Sequence, residues 1–178
     1  MARRDYPLSK VYGLLEPGPV VLVSVAGPER PNIMCMSWHT MMEFEPPLIG
    51  CVISNGNYSF DLLQQSGECV INIPTVEIAD QAVGCGNTSG ADIDKFSYFG
   101  LTPRKARCVS APLIAECYAN LECQVRDRTL VRDYCFFILE VVKAWKNSDI
   151  SNPQTLHHMG WGKFMLAGEQ VTLKSHMR

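Results

Sequence analysis

The segment Asn32-Ile-Met-Cys-Met-Ser-Trp38 sets thioether, thiol, hydroxyl and indole groups along one extended run. A few residues later Pro46-Pro47 opens an apolar run from Leu48 to Ile53, which ends in Ser54-Asn-Gly-Asn-Tyr-Ser59. These residue types suit non-covalent capture of a flat, polarizable ring that carries an anionic tail. Sulfur and indole side chains flank a ring face, and unpaired N–H groups at a helix start receive an anion. Met34, Met36 and Trp38 equally suit packing on the buried face of a strand. The residue types alone leave both readings open.

Ser54 and Ser59 each bring a hydroxyl to that turn, and Ser59 as an N-cap would bare the first N–H groups of a helix. Capping without any ligand accounts for the same residues. Between them Asn55-Gly56-Asn57 supplies no cation. The stretch Gly84-Cys-Gly-Asn-Thr-Ser-Gly90 has the spacing GxGxxxG and follows an expected helix, not a strand, which excludes a dinucleotide fingerprint. A loop whose N–H groups approach an anion and an ordinary surface loop both fit it. Cys35 has no CxxC partner and reads as a small lining group, not a nucleophile. His157 and His158 are adjacent on an extended chain and point to opposite sides, so no metal site is expected there. There is no Ser/His/Asp triad, paired-carboxylate motif or metal cage.

The 178 residues are enough for one well-buried core, so a single domain spanning 1–178 is expected, with a C-terminal arm from about residue 147. A net charge of −2 with scattered signs excludes a basic stripe of the kind nucleic-acid binders carry. The opening Met1-Ala-Arg-Arg-Asp-Tyr-Pro7 is followed by no apolar h-region, and no run approaches the roughly 18 apolar residues of a spanning helix. A cytoplasmic protein, with no membrane partner, is the expectation. The eight cysteines sit in apolar patterns and read as reduced, packed thiols.

These groups need elements to hold them. Val20–Val25 reads as a strand that enters a turn at Ala26-Gly27-Pro28, with Asn32–Thr40 as its partner. Leu48–Ile53 is a third strand. Ser59 caps a short helix over Phe60–Gln65 that Gly67 ends, and Glu68–Ile73 returns as a strand. Thr75 caps a second helix through Val83, after which the glycines impose a loop. From Leu113 to Val125 strict alternation predicts one long strand with Glu116, Tyr118, Asn120, Glu122 and Gln124 on its outer face. Asp133–Lys143 is another strand, and 147–153 is turn-rich. Strands dominate and no βαβ alternation appears, which gives a mainly β protein: a small closed or split antiparallel barrel with short peripheral helices.

The order of several pieces resembles the flavin reductase-like, FMN-binding split-barrel family, which includes the flavoredoxins. These are Asn32-Ile-Met with Ser37-Trp38, Tyr58-Ser-Phe-Asp61, Gly67-Glu-Cys-Val-Ile-Asn-Ile-Pro74, and Asp94-Lys-Phe96 before Gly100-Leu-Thr-Pro103. The resemblance implies FMN as cofactor, with Asn32, Met34, Cys35, Met36, Ser37 and Trp38 beside the ring. It further implies Ser54, Asn57, Ser59, Ser89 and Lys95 around the phosphate, Lys95 being the leading counter-charge. Where many relatives carry a basic residue, this chain has Asn55-Gly56-Asn57. The implied activity is hydride transfer from NAD(P)H to FMN and on to an unidentified acceptor, the alternative being an electron carrier reduced by a protein partner. His39 would then face a nicotinamide pocket or serve the fold. The run from His157 to Gly168 resembles the family's C-terminal arm, which implies a homodimer contact through Trp161, Phe164 and Met165. The related pyridoxamine-phosphate-oxidase-like branch, some of whose members bind haem, finds no axial-ligand signal here.

Overall fold

The structure, a computed structural model, describes residues 18–174; the basic opening and the last four residues of the expected arm lie outside it. In chain order the elements are β1 (Val21–Val25), β2 (Asn32–Met36), β3 (His39–Phe44), β4 (Pro47–Val52), α1 (Tyr58–Ser66) and β5 (Glu68–Ile73). A 3₁₀ turn at Val76–Ile78 leads to α2 (Ala79–Asn87), α3 (Lys95–Phe99), β6 (Pro103–Arg104), β7 (Leu113–Ile114) and β8 (Ala119–Asp127). The chain ends with α4 (Val131–Tyr134), β9 (Phe136–Lys146), β10 (Leu156–His158) and β11 (Phe164–Leu166).

Seven strands form one antiparallel sheet in the order β2-β1-β5-β8-β9-β4-β3. Its two outermost strands, β2 and β3, are consecutive in sequence and separated by Ser37 and Trp38 alone. Three virtual bonds of 3.8 Å allow Met36 and His39 at most about 11 Å of separation. The sheet therefore curls until its first and last strands meet at one corner, giving a half-barrel split between β2 and β3. The mainly β, split-barrel expectation holds.

Asn32–Thr40 is thus two strands at opposite edges and not one, because the chain leaves one end of the sheet at Met36 and enters the other at His39. The Trp38 carbonyl anchors the link by accepting from the Val52 N–H (3.0 Å). Both faces of β1 are covered, which is why Val20–Val25 is buried throughout and apolar at every position but Ser24. Val21, Val23 and Val25 join the inner core with Met34, Met36, Cys51, Leu63, Ile71, Phe137 and Leu139. Leu22 and Ile33 join an outer cluster with Ile78, Ala82 and Cys85, Phe96 and Ile114, supplied by the helical layer and β7.

That outer layer corrects three further expectations. The helix over 79–87 runs through Gly84 and Gly86, so the loop begins only at Thr88. A Cβ on Gly84 would lie 2.3 Å from the Phe99 ring and one on Gly86 3.1 Å from Cys35 Cβ, so close packing against α3 and β2 outweighs the helix cost of glycine. The strand expected over Leu113–Val125 breaks at Ala115–Tyr118, and its supposedly exposed face is buried at Asn120 and Glu122 because β6, β7 and the loop after Arg104 cover it. At the start of the Asp133–Lys143 segment the chain is still in α4, turned by Cys135 at φ 53°.

Buried polar groups tie the layers together. Asn72 Nδ2 donates to the Leu22 carbonyl (3.0 Å) and to Ser24 Oγ (3.0 Å), while its Oδ1 accepts from the Ile114 N–H (3.0 Å) and from Asn120 Nδ2 (2.8 Å). Glu122 accepts from the backbone N–H groups of Arg107 (3.1 Å) and Cys108 (2.5 Å) and from the Trp145 indole N–H (2.6 Å). Burial works against its charge, yet the Trp145 indole and the N–H groups of Cys108, Arg107 and Val109 outweigh it and hold the carboxyl below its ordinary value.

A carboxyl depressed in the folded state stabilises above its unfolded pKa and loses that contribution as pH falls through the folded one. Glu122→Gln is expected to lower stability by about 1.5–3 kcal/mol at pH 7. The gap to the unaltered protein narrows as pH drops below about 4, where the unfolded carboxyl is protonated. Urea denaturation at pH 7 and across the acid range measures both effects.

Candidate functional site

The corner where the two sheet edges meet holds a cavity of about 500 Å³. The segment Met34–Trp38 lines one side, Val52, Ser54 and Asn57 another, and Val83, Gly86 and Asn87 of α2 a third. A smaller polar cavity of about 200 Å³ adjoins it, with Met34, Asn57, Gly86 and Asn87 lining both. The smaller one is bounded by Asn32, by Gly56–Ser59 at the start of α1, by Thr88–Gly90 and by Lys95. Each of the eleven residues singled out from the sequence lines one cavity or the other. The geometry is that of an apolar slot opening into a polar vestibule.

Local structure accounts for the vestibule. The N-cap of α1 is Asn57, whose side chain makes no capping bond, so the N–H groups of Tyr58 and Ser59 begin the helix without intrahelical partners. Ser59 is therefore not the cap. It sits buried in the first turn, where its hydroxyl accepts from Asn32 Nδ2 (2.8 Å). Gly67 ends α1 as expected, at φ 68° with its N–H on the Leu63 carbonyl.

Asn32 Oδ1 is buried and finds no donor among the described residues. A Cβ on Gly90 would stand 1.8 Å from that oxygen, so only glycine leaves room for it. A buried acceptor without a partner is costly. A ligand group that donates a hydrogen bond in the vestibule would remove that cost.

Lys95 departs from its sequence reading in one respect. It is 3% exposed, and its ammonium donates to the carbonyls of Ile33 (2.7 Å) in β2 and Cys85 (2.7 Å) in α2. Two of its three hydrogens thus serve the fold, and one remains for the vestibule. Burial lowers its pKa, with the neighbouring Cys85 and Cys35 acting in the other direction. The lysine is carried there by α3, whose N-cap Asp94 accepts from the Phe96 N–H (3.0 Å) and the Ser97 N–H (3.3 Å). Cys35 lines the slot, and burial, opposed by the charge of Lys95, pushes its thiol up to about 11. It is protonated at neutral pH, as suits a lining group.

The sequence reading missed part of the slot. Gly86 and Asn87 come from the length of α2 where the sequence predicts a loop, and Val83 from the end of the helix expected before it. His158, Gly162 and Phe164 come from the β10–β11 hairpin of the arm. That hairpin docks on its own barrel through the Val20 N–H to the Leu156 carbonyl (2.7 Å), and His158 and Phe164 meet ring to ring at 5.2 Å. Gly160 and Gly162, both at positive φ, flank Trp161 at the turn, and this glycine spacing was the available signal. His39 Nε2 lies 2.8 Å from the Pro19 carbonyl, a contact between β3 and the segment before β1. Among the described residues no three His, Cys, Asp or Glu side chains group as a metal site, and no helix is long and apolar enough to cross a membrane.

A half-barrel whose split carries an apolar slot and a polar vestibule defines a class, the split-barrel proteins. Within it the chain belongs to the flavin reductase like domain family, whose pattern it matches over residues 14–163. It is 32% identical to the uncharacterized protein YddH of Escherichia coli, covering 89% of this chain and 92% of YddH. Among solved structures, an FMN-binding domain of a flavin reductases-like enzyme from Shewanella baltica is 29% identical, with TM-score 0.82, over 95% of this chain and 96% of that one. The flavoredoxin of Desulfovibrio vulgaris shares the fold, with TM-score 0.82 at 22% identity over 97% of each chain.

Replacing Lys95 by Met removes the donor from two buried carbonyls at a cost of about 1–3 kcal/mol each. Lys95→Met is expected to destabilise the ligand-free protein by at least about 2 kcal/mol, whatever it does to ligand binding. Equilibrium urea unfolding without ligand checks this, and unchanged stability would mean the two carbonyls find other donors.

Proposed function

We propose that the protein is an FMN-dependent oxidoreductase that takes reducing equivalents from NAD(P)H. The observation that carries this reading is the pairing of an apolar slot of about 500 Å³ with an adjoining polar vestibule that contains an unpartnered buried acceptor, Asn32 Oδ1. Met34, Cys35, Met36, Ser37 and Trp38 would hold the isoalloxazine ring. Asn32 Oδ1 would accept from a ribityl hydroxyl, which supplies the donor that the oxygen lacks. The N–H groups of Tyr58 and Ser59, the hydroxyls of Ser54, Ser59 and Ser89, and the remaining hydrogen of Lys95 would hold the phosphate. The Shewanella relative, an FMN-binding domain, supports the same cofactor.

Bound FMN supplies a two-electron acceptor at N5, competent to take hydride from a reduced nicotinamide. The chain's own contribution is position and environment. Lys95 fixes β2 against α2 and so fixes the ring-facing strand. Cys35, protonated at neutral pH, adds no competing charge or nucleophile beside the ring. Phe164 and His158 line the slot from the arm and would limit the water that reaches a bound ring.

Anaerobic titration of the FMN-loaded protein with NADH and with NADPH tests the activity, read as bleaching of the flavin absorbance. Rapid bleaching by either nucleotide is expected, together with tighter binding of FMN than of FAD by fluorescence titration. A flavin that stays oxidised until a reduced protein is added would make the chain an electron carrier of the flavoredoxin kind. Preference for FAD would remove the phosphate assignment.

Assembly as a homodimer is part of this proposal, as is a cytoplasmic setting. Met41, Met42 and Phe44 on the edge strand β3 and Trp161 and Met165 on the arm are exposed, and covering such side chains contributes about 1.5–3 kcal/mol each. Sedimentation equilibrium is expected to give a dimer at micromolar concentration that weakens when the chain ends near Asn152. A monomeric full chain would refute the assembly without touching the cofactor reading.

A further inference from the structure

A third cavity, of about 360 Å³, lies where β6 and β7 cover the outer face of β8 and β9. Its lining shares no residue with the slot or the vestibule. The volume falls within the range of small-molecule sites. Arg104 and Lys146 supply charge, Leu113 and Ala115 apolar surface, Asn147 an amide, and Trp145 a ring. The indole is not free to turn, because its N–H is held on Glu122 (2.6 Å), and Lys143 Nζ sits 4.9 Å from the ring centre. A fixed aromatic face is a platform on which a second ring rests without further ordering cost.

The charge around this platform is mainly positive, with Lys143 over the indole and Lys146 Nζ 5.6 Å from the Tyr118 ring centre, against the Glu122 carboxylate on the indole N–H. Among the described residues the ion pairs are Arg126 with Glu140 and Arg132 with Asp133, so neither Arg104 nor Lys146 has a carboxylate within 4.0 Å. Two acidic groups beside this lining already accept hydrogen bonds: Glu122 from the N–H groups of Arg107 and Cys108, and Glu116 from that of Thr102. Lys105 and Arg107 continue the basic run beside Arg104. On a chain of net charge −2 this is a local excess of positive charge around a half-apolar, ring-bearing pocket.

We infer that this cavity binds a small flat aromatic carboxylate, its ring against Trp145, Leu113 and Ala115 and its anionic group on the Arg104 guanidinium and the Lys146 ammonium. The planar fork of arginine matches a carboxylate in two parallel bonds. Apolar lining and the indole favour a ring over a bare ion. The site stands apart from the flavin reading and does not depend on it.

Benzoate is the probe, titrated into full-length ¹⁵N-labelled protein saturated with FMN. The Trp145 indole N–H signal, assigned by its loss in Trp145→Phe, is the reporter. A saturable shift is expected, weakened about tenfold in Arg104→Gln and in Lys146→Ala, each of which removes a charge-assisted bond. Benzamide, of the same shape without the charge, is expected to bind about tenfold more weakly, and inorganic phosphate likewise, because it lacks the ring. The inference is overturned if benzoate leaves the signal unmoved, if benzamide matches it, or if both variants bind benzoate as tightly as the unaltered protein. Phosphate binding as tight as benzoate would overturn the aromatic assignment and leave a bare anion patch.

Discussion

The two-residue link between β2 and β3 governs the architecture. A seven-stranded sheet whose outer strands are sequence neighbours cannot lie open, because Ser37 and Trp38 span only about 11 Å between Met36 and His39. Curling brings the edges together at that end, and the divergence beyond it leaves the slot. The segment that enforces the curl is also the segment that lines the slot. Closure of the fold and construction of the site are one event.

What surrounds the sheet is fastened by buried polar groups more than by apolar area alone. Lys95 joins α3 to β2 and α2, Asn72 joins β1 and β5 to β7 and β8, and Glu122 holds the loop that follows Arg104. Each is satisfied by several partners from different elements, the condition under which a buried polar group specifies an arrangement instead of weakening it. Asn32 is the exception, and it stands in the vestibule. The unpartnered Asn32 oxygen and the third hydrogen of Lys95 both face the vestibule, where the bonding pattern of the fold is left incomplete.

Local signals were legible and long-range ones were not. Gly67 as a helix stop, the Val20–Val25 strand and the turn from Ser54 to Ser59 follow from residues within a few positions of one another. Nothing in the alternation of Asn32–Thr40 marks the break at Ser37, since its cause is the distant β9 pairing with both β8 and β4. The burial of Asn120 and Glu122 likewise depends on β7 crossing above them, so a pattern of polar outward positions read as solvent-facing. Gly84 and Gly86 looked like loop formers because their reason, contact with Phe99 and Cys35, lies in other elements. Lys95 lines the vestibule, but its two carbonyl partners, 62 and 10 residues away, were invisible in the motif.

The sheet order has a temporal side. β2, β1 and β5 make one ribbon and β3 with β4 another, and the two are joined through hydrogen bonds only by β8 and β9. During synthesis the second ribbon has no docking partner until residues 136–146 leave the ribosome, about four-fifths of the way along the chain. Until then the walls of the slot, Met34–Trp38 and Val52–Asn57, belong to separate pieces whose relative pose is unset. A nascent chain therefore gains its ligand-binding geometry late and all at once. Any truncation before β9 forfeits the cavity even though twelve of its fifteen lining residues have already been made.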